Sequence, residues 1–281
     1  MTLAERLQEG EARLGLGPHA DRARRDAETL LLNVLGSGRA WLIAHWNEPL
    51  GENESENYLA YVDRRAAGEP IQYIVGKQEF YGLPFRVTRD VLIPRPETEH
   101  LVEKVLEWAG HIAAPRIVDV GTGSGAVAVA LAHHMPQATV TATDISAAAR
   151  TIAEENARRN GVEIRFLLGS LLEPVSGERF DVVVSNPPYV PESDRDSLSV
   201  EVRDYEPGLA LFAGKDGLGV YRRLIPAAFT ALETGGLCAL EIGYGQSQAV
   251  GDLLVNAGFR NVDFLPDLQG IPRVAWGLKP R

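Results

Sequence analysis

A single cysteine, Cys238, in a chain of 281 residues excludes any internal disulfide and any cysteine-rich metal centre. It lies between Leu237 and Ala239 in a run that reads as a strand, which predicts a buried structural thiol. No stretch reaches the roughly 18 uninterrupted apolar residues that a membrane-crossing helix needs. The opening MTLAERLQEG carries charge from position 5 onward, unlike an apolar leader. Together these absences predict a cytoplasmic location and no membrane partner. A basic surplus is missing too, since the formal net charge is -10. Proteins that hold many duplex phosphates usually carry a basic excess or stripe, so a nucleic-acid partner is not favoured. No internal repeat or low-complexity segment is present.

What remains is an ordinary globular composition with room for one large or two modest domains. Across residues 1–72 apolar residues recur every three or four positions (LAERLQEGEARL, DRARRDAETLLLNVL, NYLAYVDRRAAG), which predicts a small all-helical domain. Asp21 is expected to cap a helix whose buried stripe is Ala27, Leu30, Leu31 and Val34, with Gly36 and Gly38 closing it. The basic cluster Arg22, Arg24 and Arg25 shares that helix with Asp26 and Glu28, and reads as a solvated face. Residues 73–95 turn aromatic and β-branched, suiting a β-hairpin linker around Gly82-Leu83-Pro84. From 96 to 281, short runs such as RIVDV, TVTATD, EIRFLL and DVVVSN alternate with helical segments. That alternation predicts an α/β fold with a doubly wound, mostly parallel sheet.

The run Asp119-Val120-Gly121-Thr122-Gly123-Ser124-Gly125 follows one of these strands and opens a helix. Three glycines there permit a tight turn and let a nucleotide-like ligand approach backbone N–H groups. Gly121, Gly123 and Ala126 also satisfy a dinucleotide fingerprint, so the loop alone leaves an NAD enzyme open. Asp144 ends the next strand, where a carboxylate accepts from the ribose hydroxyls of an adenosine-type ligand. Capping the helix that starts near Ser146 is a compatible, plainer role.

The chemistry is chosen by Asn186-Pro187-Pro188-Tyr189, directly after DVVVS. In an open α/β sheet, ligands bind beyond the carboxyl ends of the strands, so this loop and the glycine loop should face each other. Two prolines stiffen the backbone and remove two N–H donors, leaving carbonyl oxygens and the Asn186 side chain as acceptors. A planar –NH2 group matches that frame. Holding both its protons opposes amide resonance and aims the nitrogen lone pair, while Tyr189 offers a flat face.

DVGTGSG with Asp144 resembles the cofactor loop of class I methyltransferases, and NPPY resembles the motif of methyltransferases acting on adenine, cytosine and glutamine amino groups. QEFYGLPFRVTRDVLIPRPETE, the helical N-terminal stretch and LEIGYGQ narrow this further. Over essentially the whole chain the sequence is similar to the peptide chain release factor glutamine methyltransferase family. The resemblance implies a Rossmann-like, seven-stranded sheet, S-adenosyl-L-methionine as cofactor, no metal, and release factors as protein partners. It implies cofactor contacts at Gly121, Thr122, Gly123, Ser124, Gly125, Asp144 and Asn186. Leu171 stands where some members carry an aromatic residue beside the adenine, and its apolar face can cover the base by dispersion. Asn186, Pro187 and Tyr189 would be catalytic, with Pro188 also holding the glutamine amide. Phe80 and the segment from Arg95 to Glu99 would help to close the site. The target would be the glutamine of a Gly-Gly-Gln loop, with the helical domain gripping the factor elsewhere.

Three competitors follow from the same residues. An adenine-amino methyltransferase acting on DNA or RNA uses NPPY after flipping its base. Against it, residues 1–77 carry fewer Lys and Arg than Asp and Glu, so the accessory domain is no basic clamp. An NAD dehydrogenase would leave NPPY unexplained, and His133 and His134 suit a helix end better than a hydride site. A non-catalytic module that only senses cofactor would differ by lacking turnover. Glu241 reads as the end of a strand.

Overall fold

The computed structural model describes residues 1–281. Helices α1 (Leu3–Leu14), α2 (Ala23–Leu35), α3 (Arg39–Ala44), α4 (Glu52–Ala66) and α5 (Ile71–Val75) come first, followed by the strands β1 (Lys77–Phe80) and β2 (Leu83–Arg86). Then come α6 (Glu99–Ala109), β3 (Arg116–Val120), α7 (Ala126–His134), β4 (Thr139–Asp144), α8 (Ala147–Arg159), β5 (Arg165–Leu168) and β6 (Phe180–Ser185). Two short helices, α9 (Val200–Tyr205) and α10 (Gly208–Leu211), precede α11 (Gly219–Ala231), β7 (Leu232–Glu241), α12 (Ser247–Asn256), β8 (Arg260–Pro266) and β9 (Pro272–Leu278).

One compact unit comprises residues 1–76 with 198–205, and the other residues 77–197 with 206–281. The sequence-based division at 72 and 95 is drawn differently. Residues 73–76 stay with the helices because α5 runs on to Val75, the hairpin belongs with the sheet, and α9 returns to the helical unit.

The helical unit buries Leu3, Leu7, Leu30, Leu31, Tyr58 and Val62 in one core. Its first helix starts in a capping box, with Thr2 Oγ1 accepting from Glu5 N at 3.2 Å and the Glu5 carboxylate accepting from Thr2 N at 2.9 Å. Two expectations need correction here. Asp21 does not cap α2: it lies in a 3₁₀ turn, Ala20–Arg22, that runs straight into the helix and leaves no side-chain cap. Asp26 is not on a solvated face either, because it is 2% exposed and accepts from Arg65 Nε at 2.7 Å. Gly36 does close α2, in the left-handed conformation at φ 60.

In the second unit the strand order is β5-β4-β3-β6-β7-β9-β8, with β3 to β7 parallel and β9 antiparallel to both β7 and β8. Successive residues of a strand face opposite sides, so Val182 and Val184 enter a core with α6 and α7, whereas Val183 enters one with α11 and α12. Both faces being covered explains why these strands read as continuous apolar runs. Cys238 is fully buried in the second of these cores, and burial pushes its thiol up to about 12. The strand order reverses between β3 and β6, and ligands of such sheets bind at that switch point.

The hairpin turns at Tyr81 and Gly82, with φ 51 and 72, and Leu83 and Pro84 already lie in β2. A two-residue turn of this hand needs positive φ at both central positions, which a proline ring forbids, so the turn falls earlier than Gly82-Leu83-Pro84 suggested.

Candidate active site

β3 delivers its chain into the glycine loop, where Gly121, Gly123 and Gly125 take φ values of 72, 57 and 82. A Cβ on Gly121 or Gly123 would meet nothing within 4 Å, so these two face open space. At Gly125 a Cβ would lie 3.1 Å from that of Ala153, so this glycine lets α7 pack on α8 rather than lining the cavity. The loop is held from behind: Gly121 N and Thr122 N both donate to the Thr143 carbonyl, at 2.8 and 3.0 Å. Thr122 Oγ1 donates to Asp119 Oδ2 at 2.6 Å, and burial pushes the Asp119 carboxyl up to about 7.

Asp144 stands at the end of β4, where it braces the glycine loop, and the helix cap falls to Ser146. Oδ2 accepts from Gly123 N and Oδ1 from Ser146 N, each at 2.8 Å, which ties the glycine loop to the start of α8. Ser146 supplies the helix cap, accepting from Ala149 N at 3.2 Å. Burial raises the Asp144 pKa above the usual carboxylate value, yet its edge still lines the cavity.

Across the switch point, Ser185 Oγ donates to the Val120 carbonyl at 2.6 Å and so joins the ends of β6 and β3. Asn186 follows at once and lines the cavity together with Pro188. Asn186 Nδ2 donates to Thr98 Oγ1 at 3.1 Å, and Thr98 Oγ1 donates to Glu241 Oε2 at 2.6 Å. Glu241 is 3% exposed at the end of β7, and burial, reinforced by nearby Glu97, pushes its carboxyl up to about 7 despite the Thr98 hydrogen bond. The far end of NPPY is clamped as well. Gln246 Nε2 donates to the Tyr189 carbonyl at 2.9 Å, and a Cβ on Gly217 would come within 2.2 Å of that oxygen.

One cavity of about 270 Å³ collects these groups. Its lining includes Gly121 to Ser124 and Asp144, with the apolar residues Ile145 and Leu171. Leu171 is held at φ 50, uncommon for a leucine, while its carbonyl accepts from Thr143 Oγ1 at 2.8 Å. Asn186, Pro188, Thr98 and Arg95 line the cavity as well, the last paired with Glu206 at 2.6 Å. Leu209, Ala210 and Phe212 supply a further apolar wall.

Three residues expected at the site lie off the cavity wall. Phe80 is 2% exposed and packs edge-on against Phe85 in the core, because alternation along β1 turns it inward. Pro187 is buried behind the loop. Tyr189 packs against the α11 and α12 side of the sheet, with its hydroxyl 3.5 Å from Glu241 Oε1. The sequence reading missed Ile145 and Gln246, although LEIGYGQ contains the latter, and it named Thr98 only as part of the segment from Arg95 to Glu99.

A family model described as PrmC N-terminal domain matches residues 5–76, and one described as Methyltransferase small domain matches residues 97–201. The release factor glutamine methyltransferase of Moorella thermoacetica is 47% identical over 276 residues, covering 97% of this chain and 97% of that protein. Those of Geobacter sulfurreducens and Bacillus subtilis are 44% and 42% identical, each covering 92% of this chain and 90% and 92% of their own. Among solved structures, a methyltransferase from Pyrococcus furiosus superimposes with a TM-score of 0.54 at 19% identity, over 82% of this chain and all of that one. A T. thermophilus 16S rRNA methyltransferase in complex with AdoMet and guanosine gives 0.55 at 19% identity, over 73% of this chain and 50% of that one. These two share the fold. Full-length identity to the curated relatives, joined to a glycine loop and an NPPY loop facing each other across the switch point, places this chain in the release factor glutamine methyltransferase family.

Proposed function

We propose that this chain transfers a methyl group from S-adenosylmethionine to the side-chain amide nitrogen of the glutamine in the Gly-Gly-Gln motif of a peptide chain release factor. The observation that carries the reading is the placement of Asn186, its Nδ2 already engaged by Thr98, at the mouth of β6 in the same cavity as the glycine loop.

The residues present fit the methyl donor. Gly121 and Gly123 set no side chain against the cavity, so a ligand can come close to the loop, Asp144 offers a carboxylate edge for paired hydroxyls, and Ile145 with Leu171 offers apolar faces for a flat base. Bound there, S-adenosylmethionine supplies an electrophilic sulfonium methyl group. The chain's own part is binding and orientation. With Nδ2 taken, Asn186 has Oδ1 left to accept one amide proton, and the diproline backbone, having no N–H, offers only acceptors for the other. Such a frame opposes delocalisation of the nitrogen lone pair and favours the positive charge that grows on nitrogen as the new bond forms. The amide proton leaves after transfer, so no strong base is required beforehand. The helical unit, which matches the PrmC N-terminal domain model, is assigned the grip on the release factor.

Incubation with methyl-labelled S-adenosylmethionine tests this. Label is expected on an intact release factor and on neither the factor with that glutamine changed to alanine nor unmodified DNA. Label on DNA would replace the reading with the adenine one. A second prediction concerns the cofactor end alone. Asp144→Ala removes at least one charged hydrogen bond, contributing about 1.5–3 kcal/mol, so the dissociation constant for S-adenosylmethionine should rise by roughly 10- to 150-fold or more by calorimetry. An unaltered constant would remove Asp144 from the binding site.

A further inference from the structure

Asn, unlike Asp, has two different ends, and a half-turn of its amide swaps a donor for an acceptor. For a site that must accept protons from a substrate amide, the wrong half-turn is inactivating. Something has to choose.

From the geometry behind Asn186 we infer that Thr98 and Glu241 are positioning residues, a buried relay that sets the orientation of the Asn186 amide and so keeps Oδ1 toward the substrate. The inference rests on the role proposed above for Asn186. The three groups come from three places, the turn Pro96–Thr98, the end of β6 and the end of β7, and Thr98 and Glu241 are 4% and 3% exposed.

An ionised carboxylate only accepts hydrogen bonds, so Thr98 must spend its one proton on Glu241, at 2.6 Å. The lone pairs of Thr98 Oγ1 are then all that faces Asn186, at 3.1 Å. Only the Nδ2 end of the amide satisfies them. The reverse orientation would set Oδ1 against an oxygen with no proton to give, a buried acceptor against a buried acceptor. Protonation of Glu241 relaxes this choice, since a carboxylic acid can donate to Thr98 and free the threonine proton for Asn186. Burial, with Glu97 adding to it and Thr98, Arg273 and the Tyr189 hydroxyl opposing it, pushes that carboxyl up to about 7, so the relay is strictest in mildly alkaline solution.

The test is a set of variants measured at about pH 8.5, well above the ordinary carboxylate range. Thr98→Val keeps the branched shape and removes the hydroxyl, and should lower the single-turnover rate about 10- to 100-fold with cofactor affinity within about twofold. Thr98→Ser should restore the rate to within about threefold of the parent, which a purely packing role for the threonine methyl would not allow. Glu241→Gln, able to donate as well as accept, should lower the rate in the same direction. In ¹⁵N-labelled, ligand-free protein the Asn186 side-chain amide pair, assigned by its loss in Asn186→Ala, should show one exchange-protected proton in the parent and in Thr98→Ser. That protection should vanish in Thr98→Val. Unchanged protection in Thr98→Val, or a parental rate in Thr98→Val or Glu241→Gln, would overturn the relay. A parental rate in Asn186→Ala would instead overturn the role of Asn186 itself, so the two failures are distinct.

Discussion

Replacing Asn186 with alanine should lower the single-turnover rate of methyl transfer by at least about a hundredfold while changing cofactor affinity by no more than about tenfold. The asymmetry follows from where the side chain sits. Toward the cofactor end, Asn186 is one polar group among several, and one neutral hydrogen bond contributes about 0.5–1.5 kcal/mol. In the role proposed for it, its Oδ1 is the side-chain acceptor for the substrate amide, and a preorganised group aimed at developing charge typically accounts for a factor of about 100 to 1000. The variant should still fold, because the carbonyl of Val120 remains tied to Ser185 and the carbonyl of Tyr189 to Gln246, so both ends of the loop stay anchored. A quenched-flow rate with cofactor saturating, set beside a calorimetric cofactor titration, separates the two effects. Equal losses in both would mean that Asn186 serves cofactor binding and has no special part in transfer.

Arg65→Met should destabilise the helical unit by about 3–5 kcal/mol, the usual consequence of leaving half of a buried ion pair behind. Arg65 is 2% exposed and is among the largest fully buried side chains. Its guanidinium donates to Asp26 at 2.7 Å, to the Glu69 carbonyl at 3.0 Å, and to Glu201 in α9. Without it, Asp26 keeps only exposed Arg25, whose Nε stands 3.9 Å away. Glu201, whose side chain is 20% exposed, can turn to water, whereas Asp26 cannot. The double variant Asp26→Leu/Arg65→Met removes both buried charges and should recover most of the loss, since replacing a whole buried pair by apolar groups is often neutral. Hydrogen exchange of the α2 and α4 amides reads the unit directly. Equal protection in the parent and the single variant would show that the buried pair contributes nothing to stability.

How far the site could be read from the chain depended on distance along it. The glycine loop, Asp144 and NPPY were legible because each is a local rule: glycines where φ must be positive, a carboxylate at a strand end, prolines where N–H donors are unwanted. Even there the individual roles shifted. Gly125 serves helix packing, and Phe80, expected with the segment from Arg95 to Glu99 to help close the site, was taken inward by the pleat of β1. The cap expected of Asp21 failed because a 3₁₀ turn took its place.

The sequence by itself determined the elements, their order and the class of ligand, because period, β-branching and turn chemistry act over a few residues. Family resemblance added the substrate. Only the tertiary structure decided which buried polar groups meet. Thr98 reaches Asn186 across 88 positions and Glu241 across 143, and Asp26 finds Arg65 across 39. Such pairings are set by which strands neighbour one another and by the directions of side chains at their ends. A hydrogen bond that works at 2.6 Å has gone by 3.6 Å, so no short-range pattern in the chain announces it.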